Sequence, residues 1–170
     1  CGTNSTLRLP DGNSTVLASA YRACAVLQHV IFPASVQRVE EKAFEDCWYL
    51  EKVTFEGDSE LVHIGSRAFS LSGLKTLTLP KKVTIIDQYA FYYCSSLETF
   101  LFEADSELVS IKSSAFQSSG LKTFTLPKKV TIIDQYAFYD CRALGTFLFA
   151  ADSEIVSIRS YAFNSSGLQS

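Results

Sequence analysis

Five cysteines, two histidines and three Asp-Ser-Glu triplets are the side chains here best suited to hold a metal, form a covalent bond or move a proton. Cys1, Cys24 and Cys47 lie 23 residues apart, and Cys47, Cys94 and Cys141 lie 47 apart. Zinc ligation needs cysteines and histidines clustered at Cys-x-x-Cys-type spacing, which this sequence lacks. A disulfide needs Cα atoms about 4.4–6.8 Å apart, so in a stacked array only neighbours such as Cys1–Cys24 or Cys24–Cys47 can pair. Cys94 and Cys141 are expected to be free, and a buried, small apolar role in a turn suits every cysteine. His29 is expected on an exposed strand face and His63 in a loop, neither beside a nucleophile, so no triad is predicted. There is no glycine-rich phosphate loop and no H-E-x-x-H. The triplets at 58–60, 105–107 and 152–154 carry calcium-type oxygens. They recur every second module, about 10 Å apart, too far to share an ion. Turns in which Asp or Ser accepts a local backbone N–H are the simpler reading. No enzyme, no cofactor and no metal site are predicted.

The elements that must position these residues are repeats. Blocks 27–73, 74–120 and 121–167 are each 47 residues long, and the last two differ at only 10 positions, which is the mark of a stacked array. Each block is itself double. Ala-aromatic pairs begin at Ala20, Ala43, Ala68, Ala90, Ala115, Ala137 and Ala162, with spacings alternating between 22–23 and 25. The modules alternate because one loop is longer: Phe102 to Ile111 fills the slot that Leu79 to Ile86 fills in the short form. Each module opens apolar-x-x-apolar-x-apolar, as in Leu74/Leu77/Leu79 and Leu121/Phe124/Leu126. Its last two apolar positions alternate with period two, predicting a short strand with one buried face. Leu-x-x-Leu-x-Leu at this period is the leucine-rich repeat signal. Seven such strands stacked in parallel share a core that none could build alone. After each strand the chain turns through Pro33, Pro80 and Pro127 or through Asp-Ser-Glu. Asp87, Asp134, Ser66, Ser113 or Ser160 is then placed to cap a short helix that carries Ala-Phe inward. The fold class predicted is a leucine-rich repeat solenoid of α/β type, with parallel β-strands on the concave face and short helices or 3₁₀ turns on the convex side.

Function, if it sits on this array, sits on its exposed strand positions. His29, Lys52, Thr76, Thr99, Thr123 and Thr146 form one column, and Ile31, Thr54, Thr78, Leu101, Thr125 and Leu148 another. They read either as a Thr-rich recognition face or as a surface tuned for stacking. A third column, Glu51–Lys75–Glu98–Lys122, alternates in sign and suits cross-strand pairing. Trp48 and Tyr49, in a turn before a strand, are aromatic contact candidates. Tyr89, Tyr92, Tyr93, Tyr136, Tyr139 and Tyr161 flank the phenylalanines and either anchor a partner or pack over the next turn.

Composition sets the bounds. Hydrophobic residues make up 47% and charged residues 19%, as in a globular protein, and a net charge of −3 without basic runs gives no case for nucleic acid. No apolar run approaches the roughly 18–20 residues of a membrane span. With no Met and a strand begun at Gly167 to Ser170, the sequence reads as one array over 1–170, about seven modules of 22–25 residues, truncated at both ends. All three asparagines, Asn4, Asn13 and Asn164, head N-x-S/T sequons, which favours a secretory route and glycosylation. The other reading is that Asn replaces Ser in Ser-rich turns.

Together, L-x-x-[LVF]-x-[LF]-P, then V-x-x-I, then A-F-x-x-C, alternating with F-E-x-D-S-E-L-V-x-I, resemble the BspA-like (Treponema-type) leucine-rich repeats. The resemblance covers essentially the whole chain. It implies an extracellular or cell-surface protein that adheres to host cells, matrix proteins or other microbes. One departure is that short modules carry Ser near Ser72, Ser119 and Ser166 where the family has cysteine. The expected function is non-enzymatic recognition of a host or extracellular matrix protein through the strand face. Two rivals are a structural spacer, favoured by near-identity of the last two blocks, and an intracellular scaffold. Uncapped ends also predict end-to-end self-association, which a concentration-independent monomer in sedimentation would contradict.

Overall fold

The computed structural model of the 170-residue chain describes residues 5–169. Its strands are β1 (Thr6–Arg8), β2 (Thr15–Val16), β3 (His29–Phe32), β4 (Arg38–Val39), β5 (Lys52–Phe55), β6 (His63–Ile64) and β7 (Thr76–Leu79). They continue as β8 (Ile85–Ile86), β9 (Thr99–Phe102), β10 (Ser110–Ile111), β11 (Thr123–Leu126), β12 (Ile132–Ile133), β13 (Thr146–Phe149) and β14 (Ser157–Ile158). All ladders are parallel, and the chain winds as a β-solenoid of about seven turns with the leucine-rich repeat fold. The longer strands form one side, in two sheets ordered β1-β3-β5 and β7-β9-β11-β13. The two-residue strands form a continuous seven-stranded sheet from β2 to β14.

The core lies between these sides. Period-two alternation turns Val30, Phe32, Leu77, Leu79, Phe124 and Leu126 inward, each no more than 2% exposed. Val39, Ile64, Ile86, Ile111 and Ile133 meet them from the short strands. The third side is the Ala-aromatic turn. There Tyr21, Phe44, Phe69, Phe91, Phe116, Phe138 and Phe163 stack in one column with ring centroids 5.2–5.6 Å apart. Alanine beside each ring leaves room for the adjoining backbone, and Ala43, Ala68, Ala90, Ala115 and Ala137 are fully buried.

This turn side differs from the expected short helices: among the described residues there is no helix. The reason is a pair of left-handed residues bracketing each Ala-aromatic pair, such as Tyr89 (φ 58°) and Tyr93 (φ 53°), or Tyr136 (φ 58°) and Asp140 (φ 57°). Their strain, of order 1–2 kcal/mol per residue, is offset by hydrogen bonds to the next coil. Tyr89, Phe91 and Tyr93 N–H donate to the carbonyls of Ser113, Ala115 and Gln117 at 3.1, 2.8 and 2.9 Å. The residues between close turns within the coil, as Tyr92 N–H does to Tyr89 O at 3.1 Å. A helix would spend these groups internally, and the stack spends half of them between coils. Accordingly Asp87 and Asp134 cap no helix. Their Oδ1 atoms accept the next N–H, from Gln88 at 2.7 Å and Gln135 at 2.8 Å. His63 is also corrected: it lies in β6 rather than in a loop.

Candidate functional site

The predicted strand-face residues stand as cross-strand neighbours. The register sets His29 beside Lys52, Ile31 beside Thr54, Thr76 beside Thr99, Thr78 beside Leu101, Thr123 beside Thr146, and Thr125 beside Leu148. His29, Ile31, Thr54 and Thr99 are half-buried, and the others are exposed. Leu101 and Leu148 are each 54% exposed, an apolar surface that the core does not use. His29 Nε2 lies 2.9 Å from Thr54 Oγ1. Burial, with Lys52 adding to it, lowers the His29 pKa, so the imidazole is the neutral form at pH 7. In the charged column Lys75 Nζ meets Glu51 at 2.7 Å and Lys122 Nζ meets Glu98 at 2.6 Å. Both pairs are exposed and contribute a few tenths of a kcal/mol each.

The strand side is not continuous. Full four-residue registers join β3 to β5, β7 to β9 and β11 to β13. Between β5 and β7 no ladder forms, and between β9 and β11 only Thr99 pairs with Thr123. Proline contributes by removing one bond at each of these seams, although β1 and β3 keep three pairs with Pro33 in the same place. Where registers are full, the next N–H along the strand extends the ladder: Glu56 donates to Phe32 O (2.9 Å), Glu103 to Leu79 O (3.0 Å) and Ala150 to Leu126 O (3.0 Å). At the interrupted seams the corresponding residue is Pro80 or Pro127, with no N–H to give. The Lys-Glu pairs hold the beginnings of both seams, and the strand ends part. At the β9/β11 seam the parting opens a cavity of about 500 Å³ lined by Phe100, Leu101, Phe102, Thr123, Thr125, Leu126, Pro127 and Ala150. Glu103, Asp105 and Ser106 line it from the β9 loop, and Lys128 and Lys129 from the β11 loop. Sequence reasoning placed Leu101, Thr123 and Thr125 on a flat face and missed the cavity. The alternation of Pro with Asp-Ser-Glu was the available signal.

The remaining candidates lie apart from this cavity's lining. Trp48 and Tyr49 are each 59% exposed in the turn before β5. The tyrosines largely pack on one another, within one turn for Tyr89 on Tyr92, Tyr92 on Tyr93 and Tyr136 on Tyr139 and across to the next for Tyr136 on Tyr161, with the Arg67 guanidinium 4.9 Å above Tyr89. Arg38 Nη2 donates to His63 Nδ1 at 3.0 Å, which leaves Nε2–H facing Asp87 Oδ2 at 3.7 Å. Ser59 and Ser106 Oγ accept N–H from Leu61 and Leu108 at 3.3 and 3.4 Å, a local turn role for the Asp-Ser-Glu triplets. Asn13 and Asn164 are exposed, and Asn4 lies outside the described residues. The last coil exposes Phe149, Val156 and Ile158.

Cys47, Cys94 and Cys141 are buried, free thiols. Cys24 is disulfide-bonded, so the Cys24–Cys47 alternative falls; Cys1 lies outside the described residues. The thiols donate to Tyr21, Phe69 and Phe116 carbonyls one coil back, at 3.0, 3.1 and 3.0 Å. Ser72 and Ser119 hydroxyls lie 3.4 and 3.3 Å from Cys94 and Cys141 Sγ, so serine fills the alternate rungs. Burial pushes the Cys47 and Cys94 thiols up to about 11 and raises Cys141. Two outcomes follow. The native protein leaves these thiols unreacted with a thiol-specific disulfide reagent at pH 8, and unfolding releases all three. Between about pH 9 and 11 the unfolded chain binds fewer protons than the folded one, so stability falls as pH rises. Equal labelling rates for folded and unfolded protein would refute the burial account.

Comparison with known proteins gives consistent results. A family profile for the BspA type leucine rich repeat region, in 6 copies, matches residues 1–108 and 62–170. A leucine-rich repeat protein from Bacteroides ovatus superposes with a TM-score of 0.85 at 25% identity, over 97% of this chain and 42% of that one. A leucine rich cell surface protein from Faecalibacterium prausnitzii gives 0.62 at 26% identity, over 90% of this chain and 49% of that one. The pneumococcal vaccine antigen PcpA gives 0.79 at 21% identity, over 89% and 42%, a likeness of fold alone. This chain thus spans less than half the length of each. No curated protein matches it.

Proposed function

The chain belongs to the family of BspA-type leucine-rich repeat proteins, and from that membership we propose that it is a non-enzymatic recognition domain displayed at a cell surface. It forms one array of about seven modules and binds a host or extracellular matrix protein through the strand face. The observation that carries this reading is the pair Leu101 and Leu148, each 54% exposed among threonines on the face of a parallel sheet. A sheet surface serving only solubility has no use for them, whereas extended solenoid faces bind partners through such rows. The likeness to a leucine rich cell surface protein of Faecalibacterium prausnitzii supports the compartment. The exposure of Asn13 and Asn164 leaves their sequons open to glycosylation, which Asn4 shares by sequence.

Protease shaving of intact cells tests the compartment. Peptides from residues 74–167 are expected in the supernatant of unbroken cells, with glycan checked on the three asparagines by mass spectrometry. Protection of those peptides, with bare asparagines, overturns the reading and moves the search to cytoplasmic partners. Binding of the released array to matrix proteins is then expected to fall when Leu101 and Leu148 become lysine. A spacer is the second reading, favoured by the 10-in-47 divergence of the last two units. Binding by the whole protein that survives both substitutions and deletion of a whole 47-residue unit would favour it.

A further inference from the structure

We propose that the cavity at the β9/β11 seam is a specificity pocket for an extended protein segment that carries a bulky apolar side chain next to a carboxylate. This rests on the reading of the strand face as the recognition surface and names what that surface selects.

Two observations on the page point to such an occupant. The first is the lining. Buried Phe100 and Leu126, half-buried Phe102 and buried Pro127 form the base of about 500 Å³, a volume that takes one large aliphatic or aromatic side chain with its backbone. The parting of the β9/β11 seam is part of the fold, so the pocket is preformed.

The second is charge. The first seam carries the same two lysines, and there the Lys82 ammonium is engaged: Glu60 accepts from Lys82 Nζ at 2.7 Å, while Glu103 accepts the backbone N–H of Lys81 at 3.0 Å. At the second seam the residue equivalent to Glu103 is Ala150, and among the described residues neither Lys128 nor Lys129 has an ion-pair partner. Both are exposed at the pocket rim. Glu103 and Asp105 occupy the opposite wall, and Glu103 is already held by Lys81 N–H. The pocket is therefore polarised, and it directs the carboxylate of a bound segment toward the β11 loop. Complementary charge at such a rim selects partners and orients them.

The pocket also answers how nearly identical units carry one distinct site. Among the ten differences between 74–120 and 121–167, the change from Glu103 to Ala150 is the one that withdraws the carboxylate bonded to the backbone of the lysine loop, as Glu103 is to Lys81 N–H. The two seams share architecture and differ in electrostatics.

The test is selection of a displayed library of random peptides on the immobilised chain, followed by fluorescence polarisation with the enriched peptides. The expected consensus is an aromatic or large aliphatic residue beside Asp or Glu. Lys128→Glu with Lys129→Glu should weaken binding about tenfold. Lys81→Glu with Lys82→Glu, the same change at the first seam, should leave it unchanged. Lys81, Lys128 and Lys129 are exposed and Lys82 is half-buried, and unaltered melting verifies the fold. A consensus lacking the acidic residue, equal losses from both pairs of substitutions, or no enrichment overturns the proposal. These outcomes are independent of shaving: protected peptides refute the cell-surface reading, and an intact strand face that binds its partner regardless of Lys128 and Lys129 refutes the pocket alone.

Discussion

Replacing Phe116 by alanine is expected to remove about 3–5 kcal/mol from the unfolding free energy. Phe116 is fully buried at the middle of the aromatic column. Its ring stacks on Phe91 at 5.3 Å and Phe138 at 5.2 Å, and meets Phe100 and Phe124 edge-on at 4.9 and 5.4 Å. Truncation forfeits the apolar transfer and all four ring contacts. The neighbours cannot close the gap, because backbone bonds fix the coil spacing on both sides: Phe91 N–H to Ala115 O and Phe116 N–H to Ala137 O, each 2.8 Å. A stacked array is held by interfaces between neighbouring coils, so a central defect also weakens the coupling of its two halves. Urea denaturation is the measurement, with Phe163→Ala as comparison, since Phe163 is only half-buried and stacks on one ring of the column. A Phe116→Ala midpoint no lower than that of Phe163→Ala would contradict the picture of the column as the axis of the core.

Gly120→Ala is expected to cost about 1–3 kcal/mol through overpacking. The sign carries the information. Alanine at an unstrained glycine normally stabilises by about 0.4–1 kcal/mol, because the unfolded chain has less freedom to lose. Gly120 does not have a positive φ, and its need is space: an added Cβ would stand 2.2 Å from the Ser95 carbonyl oxygen. The Gly120 N–H bond to Cys94 O, at 3.1 Å, pins the two backbones together. The same contact recurs at Gly73 against Trp48 O (2.2 Å) and at Gly167 against Arg142 O (2.4 Å). Gly145 has nothing within 4 Å of its added Cβ, so Gly145→Ala should be neutral or slightly stabilising. Thermal melts of the two variants decide the point. Stabilisation by both would show that the coils can move apart at Gly120.

Much of this protein was legible before the structure. Apolar residues at alternating positions identified the strands that became β3, β5, β7, β9, β11 and β13. The Ala-Phe pairs identified the column, because a large apolar ring beside a small residue at a fixed period has no stable place but a shared interior. The burial of Cys94 and Cys141 followed from the same register. The candidate strand-face positions were readable because side chains in a strand alternate between faces.

The Ala-Phe segments looked helical from one coil, since a capping residue followed by a short polar and apolar mixture fits a turn of helix. Their actual form depends on N–H groups of Tyr89, Phe91 and Tyr93 meeting carbonyls 24 residues later. No local pattern reports such bonds, and without them a left-handed tyrosine would be only a cost. The seam is similar. Pro127 was visible, but that its missing N–H falls opposite β9 rather than β13 depends on which neighbour the strand faces. Periodicity along the chain therefore determined the repeat, the strands and the buried set, because each depends on residues a few positions apart. The tertiary stack decided the turn conformation, the close approach at Gly120 and the pocket beside Lys128 and Lys129, because each exists only where one coil's backbone meets another's.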